Sequence, residues 1–585
     1  MSDQPNELER TYLEWVARYD TPTPGERIAL RRWLRATLEL PRISILLPIY
    51  NPDLALLEEA IASVRAQSYD QWELCLADDA STDEAIRPFL ESAAASDPRV
   101  RLTFREQNGH IAAASNSALA LATGQWCALL DQDDLLAPHA LTWIALEIAE
   151  HTNARLIYSD EDKIDAAGAR SRPFFKTDWD PELFLAQNYI NHLGAYELNM
   201  MRAVGGFREG YEGSQDYDLA LRCLERLRPE QVRHIPRVLY HWRMSPGSVA
   251  QAAAAKPYAK AAARRALTDH LERKQIAGRV EACPENDEAH RIIYALSDPA
   301  PPATIIVPTR DRVVLLRRCL ESLRSLTNYP HFEIVVVDNG STEAETLDYL
   351  RGLERAGQAR VLLDAGLFNF SHLNNRAAAE ARGDVLVFLN NDIEITEPGW
   401  LTEMASQAAR PEVGAVGARL WYGNGTLQHG GVVLGLGGVA GHAHPRMPRG
   451  DGGYFDRAVL THRCSAVTGA CLATRREVFQ QLGGFEEEHL SVNFNDIDYC
   501  LRASAKGWAV VWTPYANLVH DESASRGHHR RTDEQARFYR EAAYMQKTHG
   551  AALAHDPFYN PNLSLELPGY ELAFPPRVKP ACALA

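Results

Sequence analysis

Short apolar runs alternate with segments of helical periodicity through the first quarter of the chain. Ile43–Leu47, Trp72–Ala77, Val100–Phe104 and Trp126–Leu130 have strand length and are largely apolar along their extent, whereas Leu54–Val64 and Ile111–Ala122 carry apolar residues at helical spacing. Apolar strands separated by helices predict a parallel sheet covered on both faces. Ligands of such sheets lie beyond the carboxyl ends of the strands. Those ends carry Pro48-Ile49-Tyr50-Asn51, Asp78-Asp79, Asn108-Gly109 and Asp131-Gln132-Asp133, so polar residues are predicted to converge on one rim. Ahead of the sheet, residues 7–39 read as two short helices around T-P-T-P-G, with Tyr12, Trp15, Val16 and Tyr19 forming an apolar stripe against the first domain.

The same pattern then returns. R-I-S-I-L-L-P-I-Y-N at 42–51 is echoed by A-T-I-I-V-P-T-R-D at 303–311, and L-A-D-D-A-S-T-D at 76–83 by V-V-D-N-G-S-T-E at 336–343. L-L-D-Q-D-D is echoed by F-L-N-N-D-I, and S-Q-D-Y-D-L-A-L-R by F-N-D-I-D-Y-C-L-R. Pro308 follows Pro48 by 260 residues, Asp392 follows Asp133 by 259 and Asp496 follows Asp216 by 280. A near-constant offset with one step is what duplication of a whole domain plus one insertion produces. The expected boundaries are a helical prefix at 1–41, a first domain at 42–250, a helical, charged linker at 251–300, a second domain at 301–530, and a helical, then Pro- and Asn-rich tail at 531–585 that wraps the second domain. A strand-like piece at Arg291–Leu296 and the P-A-P-P boundary at 299–302 close the linker.

Composition narrows the class. The chain has 585 residues, 46 % hydrophobic and 24 % charged, which suits large buried cores. A formal net charge of −16 argues against a nucleic-acid partner, which normally leaves a basic footprint. Nine cysteines, an odd number without a C-x-x-C pair, fit buried thiols in a reducing compartment better than disulfides or a zinc site. The polar N-terminus is unlike a signal peptide, and no apolar run is long enough to span a bilayer. The expectation is a cytoplasmic protein.

Asp131 and Asp133 occupy a strand-end turn, where two carboxylates can hold a hard divalent cation and, through it, phosphate oxygens. Alone, an aspartate pair is ordinary turn chemistry. Here the sheet pattern, the Asp78-Asp79 turn and the downstream acidic motif arrive in order, twice. Both copies resemble family 2 glycosyltransferases of the GT-A fold (an α/β, Rossmann-like nucleotide-binding architecture), over roughly 42–250 and 303–530. The tandem arrangement resembles bacterial enzymes of O-antigen or capsular polysaccharide synthesis.

The resemblance implies roles residue by residue. Pro48, Ile49, Tyr50, Asp78, Asp79 and Asn108 would hold the nucleotide, as would Pro308, Thr309, Arg310, Asp338, Asn375 and Asn391 in the second copy. Asp131 and Asp133 match the D-x-D motif that binds diphosphate through Mn²⁺ or Mg²⁺, and Asp392 its counterpart. Asp216 and Asp496 match the catalytic base, and His241 and His520 a further metal ligand. The implied partners are a UDP- or dTDP-sugar donor and a glycan or lipid-linked glycan acceptor, which leaves room for peripheral contact at the inner face of a membrane. A metal ion stabilises a departing diphosphate, a carboxylate deprotonates the acceptor hydroxyl, and direct displacement inverts the anomeric centre. Asp216 and Asp218 stand two apart at a helix start, so one of them should face the site; an N-cap role for Asp216 remains open.

The copies differ. Asn390-Asn391-Asp392 replaces Asp131-Gln132-Asp133, so metal binding should be weaker in the second copy though not necessarily absent, and Asn339 replaces Asp79. The added sequence includes Gln428–Gly453, rich in glycine and carrying His429, His442 and His444, which reads as a mobile acceptor-binding lid more readily than as a metal site. Arg526 and Gly527 are placed to reach diphosphate or acceptor, and His528–Arg531 reads as a solvated basic patch. Two alternatives stand beside a bifunctional enzyme: one catalytic domain with one degenerate acceptor-binding domain, and a nucleotide-binding oxidoreductase. The turns after Leu47 and Val307 lack G-x-G-x-x-G, which disfavours the second.

Overall fold

The computed structural model describes residues 7–36, 40–244, 257–521, 532–566 and 569–578. The first domain contributes strands β1 (Ile43–Ile49), β2 (Trp72–Asp78), β3 (Val100–Phe104), β4 (Trp126–Leu129), β5 (Leu135–Leu136), β6 (Leu156–Ile164), β7 (Arg170–Phe174), β8 (Gly194–Glu197) and β9 (Val232–Arg243). They form one sheet in the order β3-β2-β1-β4-β8-β6-β9-β5, with β7 beside β6. The strands β3, β2, β1 and β4 run parallel, as their apolar pattern predicts. Beyond them the sheet is mixed, because β8 runs antiparallel to both β4 and β6.

The continuous apolar run of β1 has a direct cause. Ile43, Ile45 and Leu47 enter a core shared with Leu57, Ile61 and Val64 of the helix Leu54–Arg65, while Leu46 enters the opposite core with Ala112 and Ala118 of the helix His110–Leu121. Both faces are therefore covered, and each fully buried Ile or Leu stabilises by roughly 1.5–3 kcal/mol. Asp53 caps the first helix by accepting from the Ala55 amide at 2.9 Å.

The second domain repeats this plan. Its strands run Arg360–Leu363, Phe332–Asp338, Ala303–Thr309, Val385–Leu389, Cys471–Arg475, Val413–Trp421, Ala509–His520 and Ile393–Ile395, the same spatial order as in the first. The pairing register is preserved as well: Ile43↔Trp72 through Ile49↔Asp78 becomes Ala303↔Phe332 through Thr309↔Asp338. Even the strand-entry bond recurs, with the Tyr69 hydroxyl on the Pro41 carbonyl and the Tyr329 hydroxyl on the Pro301 carbonyl.

The connector is no free linker. Its helix Pro257–Arg273 and the hairpin Gly278–Cys283/Asn286–Tyr294 place Leu267 and Cys283 in a first-domain core that also takes Val459 and Leu460 from the second. Arg410 binds Glu182 at 2.6 Å across the junction, and Phe455 stacks on Phe174 at 3.8 Å between centroids. The Gly/His-rich segment is likewise packed, one end beside the second site through Gln428 and His429 and the rest between the domains. Its Val433, Leu436 and Ala443 share a core with Tyr12, Trp15 and Phe175, because a glycine-rich path lets short strands (Val432–Leu434, Ala440–His442) fit between the domains. The C-terminal helix Thr532–Leu553 packs on the second domain through Met545, but the chain beyond it crosses to the first. Among the described residues, no helix is long and apolar enough to cross a membrane, and all eight described cysteines are buried and free.

Candidate active sites

Beyond the ends of β1 and β4, where the strand order reverses, lies a cavity of about 750 Å³. Pro48, Ile49, Tyr50, Asp79, Asn108, Asp131, Asp133 and Asp216 all line it, so most of the first copy's expected residues are brought together. Asp79 accepts from the Gly109 amide at 3.0 Å and pairs with Arg105 at 2.7 Å, which fixes the floor of the rim. The Tyr50 amide donates to Gln132 Oε1 at 2.9 Å, tying the β1 turn to the D-Q-D turn and leaving the Tyr50 ring half exposed. Asp78 lies just behind the rim, where it accepts from the Ser81 amide at 3.2 Å.

The metal-ligating groups converge differently from the sequence expectation. Donor atoms of Asp131, Asp134 and His192 all lie within 4.8 Å of one another. His241 belongs to another contact, its Nδ1 sitting 2.6 Å from Asp162 Oδ1. Burial and the adjacent Asp131 raise the pKa of Asp133, and push that of Asp134 up to about 7 despite bonds from the Tyr240 hydroxyl and the Arg243 amide. Burial opposes charge on His192, yet Glu161 at 3.4 Å and Asp131 at 3.8 Å outweigh it and lift its pKa to about 10. The crowded carboxylates thus lean on a protonated imidazole for compensation. Carboxylate donors suit Mg²⁺ and Mn²⁺, and this donor set fits either ion if the imidazole gives up its proton.

Asp216 stands in the first turn of the helix Gln215–Leu224, with Ser214 at the N-cap position. Its Oδ2 accepts from Asn188 at 3.0 Å and from Asn191, and burial raises its pKa against those bonds. Asp218 points the other way. It is fully buried and held by Arg222, at 2.7 Å, and by Arg208. One aspartate faces the cavity and the other serves the fold. Tyr258, half exposed at the start of the connector helix, closes the same side of the cavity as Glu212 and Gln215.

The second site keeps the plan with altered chemistry. Asp496 heads the helix Asn495–Ala505 and Asp498 pairs with Arg502 and His549, each at 2.8 Å, repeating the division of labour. Counting from Gly206-Phe207 and Gly484-Phe485, 278 residues apart, Gly469 replaces Asn191 and Ala470 replaces His192. The Gly469 amide now donates to Asp496 Oδ2 at 2.7 Å, so a backbone N–H substitutes for an asparagine side chain. Burial again raises the carboxyl pKa. His520 Nε2 lies 3.1 Å from Asp392 and its Nδ1 2.8 Å from Gln428, the first residue of the Gly/His-rich segment. Asn391 donates to the Thr309 hydroxyl at 2.9 Å, which links the Asn-Asn-Asp turn to the end of the strand Ala303–Thr309, beside Pro308 and the exposed Arg310.

Asp338 accepts from the Ser341 amide at 3.0 Å, as Asp78 does from Ser81. Asn375 is spent on the fold: its amide bonds the Phe485 carbonyl and amide, both at 2.8 Å, as Asn116 bonds Phe207 in the first domain. Arg526, Gly527 and the His528–Arg531 run lie outside the described residues.

Asp134, Asn188, Asn191 and His192 escaped the sequence reading. Asp134 was visible as the third acid of D-Q-D-D. His192 was not, since it has no counterpart in the second copy and precedes β8, whose pairing no local pattern announces.

Comparison with known proteins agrees with this layout. The glycosyl transferase family 2 profile matches residues 44–203 and 304–483, and that of glycosyl transferase family group 2 matches 425–548. The uncharacterized protein y4gI of Sinorhizobium fredii is 50 % identical over 542 residues, 92 % of this chain and 59 % of its own. The O-antigen biosynthesis protein RfbC of Myxococcus xanthus is 40 % identical over 557 residues, 95 % of this chain and 42 % of its own. The chain thus spans about half the length of these curated relatives. The structure of S. aureus TarS 1–349 in complex with UDP-GlcNAc is 19 % identical, with a TM-score of 0.32, over 39 % of this chain and 66 % of that one. With the family profile matched twice, along two sheets of identical strand order, the chain belongs to glycosyl transferase family 2 as a tandem pair of GT-A domains.

Proposed function

We propose that each domain transfers one sugar from a nucleotide-sugar donor to a growing bacterial polysaccharide, with inversion, and that Asp216 and Asp496 are the respective general bases. One observation carries this reading: in both domains the helix-start aspartate faces the strand-end rim on N–H donors, while the aspartate two residues on is locked to an arginine. Burial raises both pKa values, and a base poised upward from the usual carboxylate range accepts a proton more readily. The donor would enter over Ile49–Tyr50 and Asp79, with its diphosphate toward Asp131. Asp131, Asp134 and His192 would hold Mn²⁺ or Mg²⁺, which when bound supplies Lewis-acid neutralisation of the diphosphate. The acceptor hydroxyl would approach from the Asp216 side, where Tyr258 and Glu212 line the cavity. The polysaccharide context rests on likeness to an O-antigen biosynthesis protein, and the acceptor would be a glycan or a lipid-linked glycan.

A second reading, in which the second domain is a degenerate acceptor-binding module, has its own support. Among the described residues, three ligand groups gather only in the first site, and Ala470 stands where His192 does. A donor screen on the full chain, following nucleotide release with Mn²⁺ or Mg²⁺ in Asp216→Asn and Asp496→Asn variants, separates the readings. Loss of a different activity in each supports two catalytic sites; wild-type behaviour of Asp496→Asn supports one.

A further inference from the structure

The chain beyond the second domain reaches back under the first site. Asn560 donates to Asp160 Oδ2 at 3.0 Å and to the Lys176 carbonyl at 2.8 Å, across roughly 400 residues of sequence. Asn562 adds a bond to the Pro236 carbonyl at 3.0 Å, and the Asp178 amide donates to the Pro557 carbonyl at 2.8 Å. Asp160, Lys176, Asn560 and Asn562 are all essentially buried, so this is a packed seam and not a surface crossing.

Lys176 connects that seam to the site. Its amide donates to Asp160 at 2.8 Å, while its buried ammonium donates to the carbonyls of His192, at 3.0 Å, and Asn191 and pairs with Glu161 at 3.0 Å. Asn191, with Asn188, donates to Asp216, and His192 stands beside Asp131 with Glu161 behind it. One lysine therefore pins the two backbone carbonyls whose side chains touch the base and the ligand cluster, and Asn560 clamps that lysine's own main chain. Among the described residues the second site differs: the Gly469 amide serves Asp496 directly.

We propose that Asn560 is a positioning residue of the first site, acting through Asp160 and Lys176 to fix the Asn191–His192 segment. The proposal rests on the functional reading given above. Its chemistry is plain. A buried asparagine lost from this seam leaves Asp160 and the Lys176 carbonyl short of a donor, and the Asn191–His192 carbonyls then lose a rigid anchor. Partners bonded directly to a metal ligand are worth roughly 10–100-fold when removed; Asn560 acts one residue further out, through Lys176, which sets the expectation at the low end, about 10-fold.

The test uses the full chain with Asn560→Ala. In an Asp496→Asn background, which isolates the first site, kcat should fall by about 10-fold while donor KM stays near the parent value. In an Asp216→Asn background the second site should be unaffected. Hydrogen exchange should quicken in residues 188–193 and remain unchanged in the equivalent residues 466–471. Equal loss at both sites, or an unchanged first site with 188–193 still protected, overturns the proposal. If the Asp496→Asn parent turns over no donor, the functional reading fails on its own, and the exchange comparison still decides this one. Should Asn560→Ala not fold, Asn560→Ser, whose single donor hydrogen cannot serve both Asp160 and the Lys176 carbonyl, carries the same readouts.

Discussion

Asp216 and Asp218 stand two residues apart and should fail in opposite ways when each is changed to asparagine. Asp216→Asn removes the base, which typically contributes ~10²–10⁴-fold, or about 2.7–5.4 kcal/mol at 1.36 kcal/mol per decade. It should cost no stability at neutral pH. Burial raises the Asp216 pKa, so that carboxyl's contribution to stability is fully present below the unfolded value and lost as pH rises through the folded one. Asp218→Asn should do the reverse. Its carboxylate is fully buried between Arg222, itself 8 % exposed, and the more exposed Arg208. Breaking a buried pair costs about 3–5 kcal/mol; the asparagine retains one acceptor and Arg208 can turn to water, which sets the expectation at the low end, about 3 kcal/mol. At about 2–4 °C per kcal/mol the unfolding temperature should drop by several degrees. The assays are thermal unfolding and first-site nucleotide release on the same preparations. A stable, fully active Asp218→Asn, or an Asp216→Asn that loses stability and keeps its rate, would refute the assignment of the two carboxylates.

Three further outcomes follow from named contacts. Gly206 and Gly484 have φ of +68° and +76°, and a Cβ on either would sit 2.5 Å from Oδ1 of Asn116 or Asn375. Gly206→Ala and Gly484→Ala should each destabilise by roughly 1–3 kcal/mol, read by denaturant unfolding. Mn²⁺ binding at Asp131, Asp134 and His192 should release a proton at pH 8, because the imidazole pKa stands at about 10; calorimetry in buffers of different ionisation enthalpy reads it, and no released proton would exclude His192 as ligand. Removing an N–H donor from Asp216 in Asn191→Ala should raise that pKa further, so the acidic limb of the first-site pH–rate profile should move to higher pH while the second-site profile stays in place.

Much of the fold could be read before the structure. The parallel half of each sheet is local chemistry, in which Ile43–Ile49 and Trp72–Asp78 are apolar because helices cover both faces, and the duplication exposed itself through constant offsets. The antiparallel half was not legible, since β8 and β6 find partners distant in sequence and their residues mix polar with apolar. The sites followed the same division. Asp131 and Asp216 sit in short motifs with fixed local geometry, whereas His192 and Asp134 become neighbours only when β8 lies against β4. Asn375 misled for a related reason: a repeated asparagine near a site motif looks like a ligand, but in both copies it recurs to bind the turn at Gly206-Phe207 or Gly484-Phe485. The contacts of the linker and tail with the domains escape the sequence because their buried pairs, such as Cys283 with Val459 and Asn560 with Asp160, join residues that no local pattern relates.

The central claim is that the two domains carry separate catalytic sites. Product analysis of full-length Asp216→Asn and Asp496→Asn, with linkages assigned by NMR, tests it most directly. Two active sites predict that each variant loses one linkage and keeps the other. A wild-type product pattern from either variant would contradict it.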